Sequence, residues 1–194
     1  MKVSFNNCFD LNSEIVKCNK CNISPNRGFG FGNINSKIMF IAQSPGWQPQ
    51  NKTEDIIPFG LEGSYGNSGK YFIKLLNDFK INKKNIYVTN VVKCPTPNNR
   101  PPLEQEENNC IQMMIKEFSI QKPKIIILLG GTAKKYFFNN NDKFIKYIND
   151  SCIFDIWHPA FILRDPNKYK QWIYNLKMQI KKRKKDEKDQ KSRE

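Results

Sequence analysis

Four short apolar runs constrain this chain more than anything else in it: KIMFIAQ (37–43), NIYVTNVV (85–92), PKIIILLG (123–130) and SCIFDIWH (151–158). Each is nearly continuous in its apolar character rather than alternating. That is the pattern of a strand covered on both faces, as in a parallel sheet. Helical spacing fills the gaps, over 69–80, 103–121 and 131–138, and again in a terminal amphipathic stretch at 167–185. The second of these follows Pro101-Pro102 and carries acids in its first turn, which suits the helix dipole. Strand alternating with helix predicts an α/β fold, a three-layer αβα sandwich around a four-stranded parallel sheet. The expected domain spans 1–180, followed by a basic, disordered tail at 181–194 with eight basic and four acidic residues and no apolar one.

In such sheets a ligand binds beyond the carboxyl ends of the strands. The residues there are AQSPG, TNVVKC, GGT and HPAF, in strand order. Four loops of distinctive chemistry are thus expected to converge on one edge. The last of them holds His158, the single histidine of the chain. By itself a lone histidine after an apolar run reads as a cap or a satisfied core residue.

The formal net charge is +14, which points to a polyanionic partner; a Lys-rich solvated surface is the bland alternative. Fourteen Phe, seven Tyr and three Trp supply bulk for a core in 194 residues. The start MKVSFNNCFD has no long apolar region and no stretch approaches a membrane span, so neither export nor a membrane span is expected; the protein is expected to be cytoplasmic and a monomer.

Six cysteines without an export signal suggest thiols or a metal centre rather than a disulfide framework. Cys18 and Cys21 form C-x2-C, and Cys94 and Cys110 have fifteen residues between them. Four such cysteines suit a tetrahedral zinc or a [4Fe–4S] cluster, and spacing does not decide between them. Cys152, inside an apolar run, reads as a small buried hydrophobe.

Taken together, CNKC, IAQSPG, the Pro-Phe pair at 58–59, YVTNVVKC (87–94), NNRPP (98–102), Cys110, KPKIIILLGGTA (122–133) and HPAFILRDP (158–166) stand in an order that resembles the uracil-DNA glycosylase superfamily, specifically its iron–sulfur type, family 4. The resemblance covers roughly residues 15–175. It implies a structural [4Fe–4S] cluster on Cys18, Cys21, Cys94 and Cys110, and DNA as partner. It also implies that His158 stabilises a departing base, that Asn90 reads the base edge, that Phe59 stacks on it, and that Asn99, Ser44 and Gly46 belong to the site. These residue types suit the reaction. A glycosylase extrudes its base into a pocket, and a donor placed before charge develops on the leaving base lowers the barrier. An apolar segment ending in arginine (Ile162, Leu163, Arg164) can wedge into the vacated stack. Lys93 and Arg100 are expected to meet phosphates. No lysine falls in a motif for Schiff-base chemistry, so a lyase step is not expected.

Two departures matter. Where the family reads Gly-Glu-x-Pro-Gly, this chain reads Ala42-Gln43-Ser44-Pro45-Gly46, and none of the next four residues is acidic. Gln43 cannot act as a general base; either it or a nearby acid (Glu54, Asp55 or Glu62) is left to position water. The stretch PFGLEGSYGNSGKYF after Pro58 is longer and richer in small residues than the resemblance leads one to expect. The expected activity is therefore a monofunctional glycosylase for uracil or for a modified pyrimidine, such as a glucosylated hydroxymethylcytosine of phage DNA. In the second case the enzyme would serve in antiviral defence rather than repair. A non-catalytic DNA-binding module on the same fold is the alternative.

Overall fold

The computed structural model describes residues 6–46, 56–63 and 66–191. Glu54 and Asp55, the residues Trp47–Gln50 that follow the first strand-end loop, and Ser64-Tyr65 of the long loop lie outside the described residues. In chain order the regular elements are α1 (Asn6–Lys17), β1 (Phe31–Gly32), β2 (Ile38–Ala42), α2 (Asn67–Asp78), β3 (Tyr87–Asn90), α3 (Glu104–Gln121), β4 (Ile125–Leu129), α4 (Gly131–Asn139), α5 (Asn141–Ile148), β5 (Cys152–Ile156), α6 (Pro159–Arg164) and α7 (Tyr169–Lys191).

The sheet order is β1-β3-β2-β4-β5. The four expected strands are all present and pair in parallel, with Ala42 opposite Asn90 and Leu129 opposite Ile156. The expectation of four strands is corrected to five, because β1 adds a two-residue antiparallel edge against β3. Its FGFG surroundings carry no apolar run, so nothing in the pattern marks it.

Alternation sorts the strand side chains into two cores. Met39, Ile41, Ile126 and Leu128 face Met114, Phe118, Tyr136, Phe137 and Phe144 from α3, α4 and α5. Phe40, Ala42, Val88, Ile127 and Leu129 face Phe72, Leu75, Leu76, Ile162, Trp172 and Leu176 from α2, α6 and α7. This is the three-layer αβα arrangement. A third, small cluster (Leu11, Ile15, Met113) packs α1 on the outside of α3. Cys152 is half-buried rather than sealed in the core.

The open edge at β5 is covered by a side chain. Gln179 of α7 accepts from the Asp155 N–H (3.1 Å) and donates to the Asp155 carbonyl (2.6 Å), which replaces a missing neighbour strand at that residue. Helix α7 runs on to Lys191, within the stretch where a basic tail was expected, and its described side chains from 181 through 189 are exposed. Among the described residues no helix is long and apolar enough to cross a membrane.

Candidate functional site

The strand-end loops converge as expected. A cavity of about 700 Å³ at the carboxyl edge of the sheet is lined by Gln43, Ser44, Gly46, Phe59, Asn90, Asn99, His158 and Arg164, among others. Every residue assigned to catalysis or base binding from the sequence therefore lines a single cavity. Its backbone is unusual. Phe59 (φ 57), Asn98 (φ 52) and Asn99 (φ 55) all occupy the left-handed region. Asparagine tolerates this conformation, whereas phenylalanine is strained in it by roughly 1–2 kcal/mol.

His158 caps α6. Its Nδ1 accepts from the Ala160 N–H at 3.1 Å. With Nδ1 used as an acceptor, the proton of the neutral ring sits on Nε2. Burial, and then the positive charge of Arg164, push the His158 pKa from 6.5 down to about 4. The ring is therefore neutral near pH 7, with one N–H to offer. Its placement depends on Gly130 at the end of β4. That residue has φ 91, and a Cβ there would meet His158 Cβ at 3.1 Å. The Gly130 N–H also donates to the Ile156 carbonyl (2.8 Å), which ties the β4 and β5 ends together.

Phe59 stacks on Phe72 of α2 (centroids 4.5 Å, 19° between planes) and lies tilted against His158 at 5.5 Å. One face of the ring is thus held by the core, while the residue itself lines the cavity.

Gln43 differs from the expectation of a water-positioning group. Its Oε1 accepts from Thr132 Oγ1 (2.8 Å), and its Nε2 donates to the Arg100 carbonyl (3.0 Å) and, more weakly, the Asn99 carbonyl (3.5 Å). Both ends of the amide are engaged in bracing the β2 loop against the 96–100 turn and the start of α4. Gln43 is a positioning residue in this geometry. Ser44 joins the same brace, with its Oγ 3.4 Å from Thr96 Oγ1, which itself donates to the Arg100 carbonyl at 2.6 Å. Of the acids left open by the sequence, Glu62 lines the cavity.

Two residues expected to touch DNA, Lys93 and Ile162, are corrected. Lys93 is buried, because its ammonium pairs with Glu117 at 2.7 Å, so it does not reach a phosphate. Ile162 is 0% exposed, packed in the core that includes Trp172, so it is no wedge. Arg100 spends its guanidinium on Glu106 in two contacts of 2.9 and 2.6 Å, and Glu106 also accepts from the Leu103 N–H (2.8 Å) at the start of α3. That pairing holds the Arg100 pKa up and the Glu106 pKa down. Leu163 (39% exposed) and Arg164, at the end of α6, face outward, and Arg164 lines the cavity.

The four cysteines gather at another corner. Cys94 and Cys110 are buried, Cys18 and Cys21 half-buried, and all four are free thiols. Burial pushes the Cys94 thiol up to about 12; nearby Arg27 opposes this, while Cys110, Cys21 and Cys18 add to it. Cys94 thus lies within electrostatic reach of the other three. Asn109 of α3 donates to Cys21 Sγ (3.2 Å) and to the Lys20 carbonyl (3.2 Å), and Arg27 donates to the Cys18 carbonyl (2.6 Å). Among the described residues no three metal-ligating side chains converge tightly enough to hold one ion. An all-thiol set of four still fits a thiophilic centre in donor chemistry.

The sequence reading gave no role to Thr132 or Glu117. Thr132 stood in the GGT loop already placed at the converging edge. Glu117 had a signal too, since it is an acid on the helical face that carries Cys110, Met114 and Phe118.

The sequence profile of the Uracil DNA glycosylase superfamily matches residues 29–180. The chain is 29% identical over 121 residues to the type-4 uracil-DNA glycosylase of Archaeoglobus fulgidus, a match that takes in 61% of this chain and 57% of that protein. It is 28% identical over 166 residues to that of Thermotoga maritima, covering 80% and 82% respectively. It is 34% identical over 118 residues to that of Saccharolobus solfataricus, covering 59% and 51%. The cavity at the carboxyl edge, the αβα layers and a profile match over most of the chain agree: this protein belongs to the uracil-DNA glycosylase superfamily.

Proposed function

We propose that the protein is a monofunctional DNA glycosylase that flips a pyrimidine out of DNA and cleaves its N-glycosidic bond, leaving an abasic site. The observation that carries this reading is the neutral His158, whose Nδ1 is occupied and whose remaining N–H belongs to a cavity shared with Asn90, Asn99 and Phe59.

In the proposed reaction Phe59 stacks on the extruded base and Asn90 pairs with its polar edge through the side-chain amide. As the glycosidic bond breaks, negative charge grows on the base oxygen and positive charge on the sugar. His158 donates through Nε2 to that oxygen; being neutral, it keeps its own proton and acts by stabilising the leaving group. Water then captures the sugar cation. Gln43 holds the loops and moves no proton in this reading; Glu62, the acid that lines the cavity among the described residues, is proposed to orient that water. Arg164 contacts a flanking phosphate and Leu163 fills the gap in the stack.

Cys18, Cys21, Cys94 and Cys110 would hold the [4Fe–4S] cluster. The cluster would supply a rigid cross-link between the N-terminal segment, the β3 end and α3. The hydrolysis itself transfers no electrons.

The substrate is proposed to be a pyrimidine other than plain uracil, an enlarged cytosine in phage DNA being the leading choice. The support is the Gln43 brace in place of an acid and the long Gly-rich loop after Phe59, of which Gly60, Glu62, Gly66, Ser68 and Gly69 line the cavity. The deciding experiment offers purified protein both uracil-containing DNA and phage DNA bearing glucosylated hydroxymethylcytosine. Alkali-labile sites and mass spectrometry of the freed base are the readouts. Release of the glucosylated base supports a defence glycosylase, and release of uracil alone makes this a repair enzyme. Tight binding with no base released from either would leave the non-catalytic DNA-binding module.

A further inference from the structure

The chemistry above makes no use of a charge pair sealed inside the molecule. Lys93 Nζ lies 2.7 Å from Glu117 Oε2, with side chains 2% and 0% exposed. The same ammonium donates to Thr89 Oγ1 and to the backbone carbonyl of Asn90, each at 2.8 Å. The other Glu117 oxygen accepts from Thr89 Oγ1 (2.7 Å) and from the Tyr87 hydroxyl (3.2 Å). All three donors of the ammonium are used, two on the last two residues of β3 and the third on Glu117 of α3. A buried ion pair is seldom better for stability than an apolar pair of the same shape. Its presence here asks for a role that packing alone would not fill.

The other side of Lys93 faces the cysteines. It precedes Cys94 in the chain, and its ion-pair partner Glu117 lies on α3, the helix that carries Cys110. Its own carbonyl accepts from the Gly28 N–H at 2.7 Å. The neighbouring Arg27 is the residue that donates to the Cys18 carbonyl. One residue therefore touches Thr89, the backbone of Asn90, helix α3, which carries Cys110, and Gly28 in the segment that follows Cys18 and Cys21, and it adjoins Cys94 in the chain.

We propose that Lys93 is a positioning residue that joins the four-cysteine centre to Asn90, so that base discrimination depends on the integrity of that centre. This rests on the reading that Asn90 contacts the extruded base. Beyond β3 the chain turns, and the Val91 and Val92 N–H groups donate to the Ala42 and Gln43 carbonyls. Those amides report whether the end of the strand is held. Without the Lys93–Glu117 pair the Asn90 carbonyl loses its donor, and its side chain is aimed only by the sheet ladder.

The test compares the full-length wild-type protein with Lys93→Met/Glu117→Leu, which removes both charges while keeping the volume filled, and with Lys93→Arg. Each is studied as isolated and after chelator treatment that strips the cysteine centre. Amide hydrogen exchange at Val91 and Val92 is the first readout. In the wild type, stripping should speed exchange there about ten-fold or more, since local opening reports directly on lost restraint. In the double variant these amides should already exchange fast, and stripping should add little. No change on stripping the wild type, or the same change in both proteins, overturns the link. The second readout is the ratio of dissociation constants for DNA carrying a non-hydrolysable 2′-fluoro nucleotide of the base that the release assay shows to be excised (2′-fluoro-deoxyuridine or its glucosylated 5-hydroxymethylcytosine counterpart) and the same DNA carrying thymidine. The ratio should collapse in the double variant and recover partly in Lys93→Arg; an unchanged ratio overturns the positioning role. A wild type with no preference between these DNAs would instead defeat the base-reading role of Asn90, and the exchange data would still decide the link. Should the double variant fail to fold, Glu117→Gln is read in both assays by the same criteria.

Discussion

His158 illustrates how one residue acquires chemistry from its neighbours. The Ala160 N–H fixes its tautomer, and burial together with Arg164 keeps it neutral. On the proposed mechanism, His158→Ala should lower single-turnover base release by about 10²–10³-fold, the loss typical of one preorganised donor. Binding of the DNA should persist, because phosphate contacts do not involve the ring; an unchanged release rate would remove His158 from the mechanism. The same residue sets a pH dependence. Its pKa is about 4 in the folded protein and 6.5 ordinarily. Between these values the unfolded chain takes up a proton that the native one refuses, so stability rises with pH across this window and is lost as pH falls from 6.5 toward 4. The urea midpoint of the wild type should therefore fall more between pH 7 and pH 4.5 than that of His158→Asn, in which the titrating group is gone. Equal slopes would mean that the ring is freely protonated.

At the level of elements, the cavity exists because parallel strands end together. β2, β3, β4 and β5 deliver Gln43, Asn90, Gly130 and His158 to one edge. The loops are then cross-braced by hydrogen bonds that no strand pattern specifies, chiefly Gln43 to Thr132 and Arg100. The β5 edge is guarded from α7 by Gln179. Gln179→Ala should cost about 1–3 kcal/mol in denaturant unfolding, as two backbone groups at Asp155 lose their partner. It should also raise the tendency to aggregate, because the edge of the sheet is then uncovered. A loss below a few tenths would show that water replaces the amide without penalty. The α6 turn separates its faces in the same way: Ile162 goes to the core, and Leu163 and Arg164 go outward.

For the whole molecule the main quantity is charge. The chain carries +14, of which residues 181–194 contribute eight basic and four acidic side chains. The described side chains of that segment through 189 are exposed, so removing residues 181–194 should leave the melting temperature nearly unchanged. Affinity for DNA should fall, and the slope of log K against log salt should become shallower if the basic helix tracks the backbone of the nucleic acid. An unchanged slope would place all phosphate contacts in the rest of the protein. A large loss of melting temperature would mean that the end of α7 packs in a way its exposure does not indicate.

The sequence by itself determined the layers. Apolar runs of strand length between helical patterns leave few alternatives to a parallel α/β sheet, since both faces must be covered. It also determined which loops meet, because parallel strands share a carboxyl edge, and the family motifs sit in those loops. The two-residue β1 was not legible, as it has no periodicity to display. Only the tertiary structure decided what the polar residues do. Lys93, Arg100 and Gln43 read as phosphate contacts and a water-positioning group, yet each is committed to another protein group: Glu117, Glu106, and Thr132 with the Arg100 carbonyl. The reason is physical. A side chain's apolar or polar character is local and survives in the pattern, whereas the partner of a charge or an amide depends on which distant segment arrives beside it.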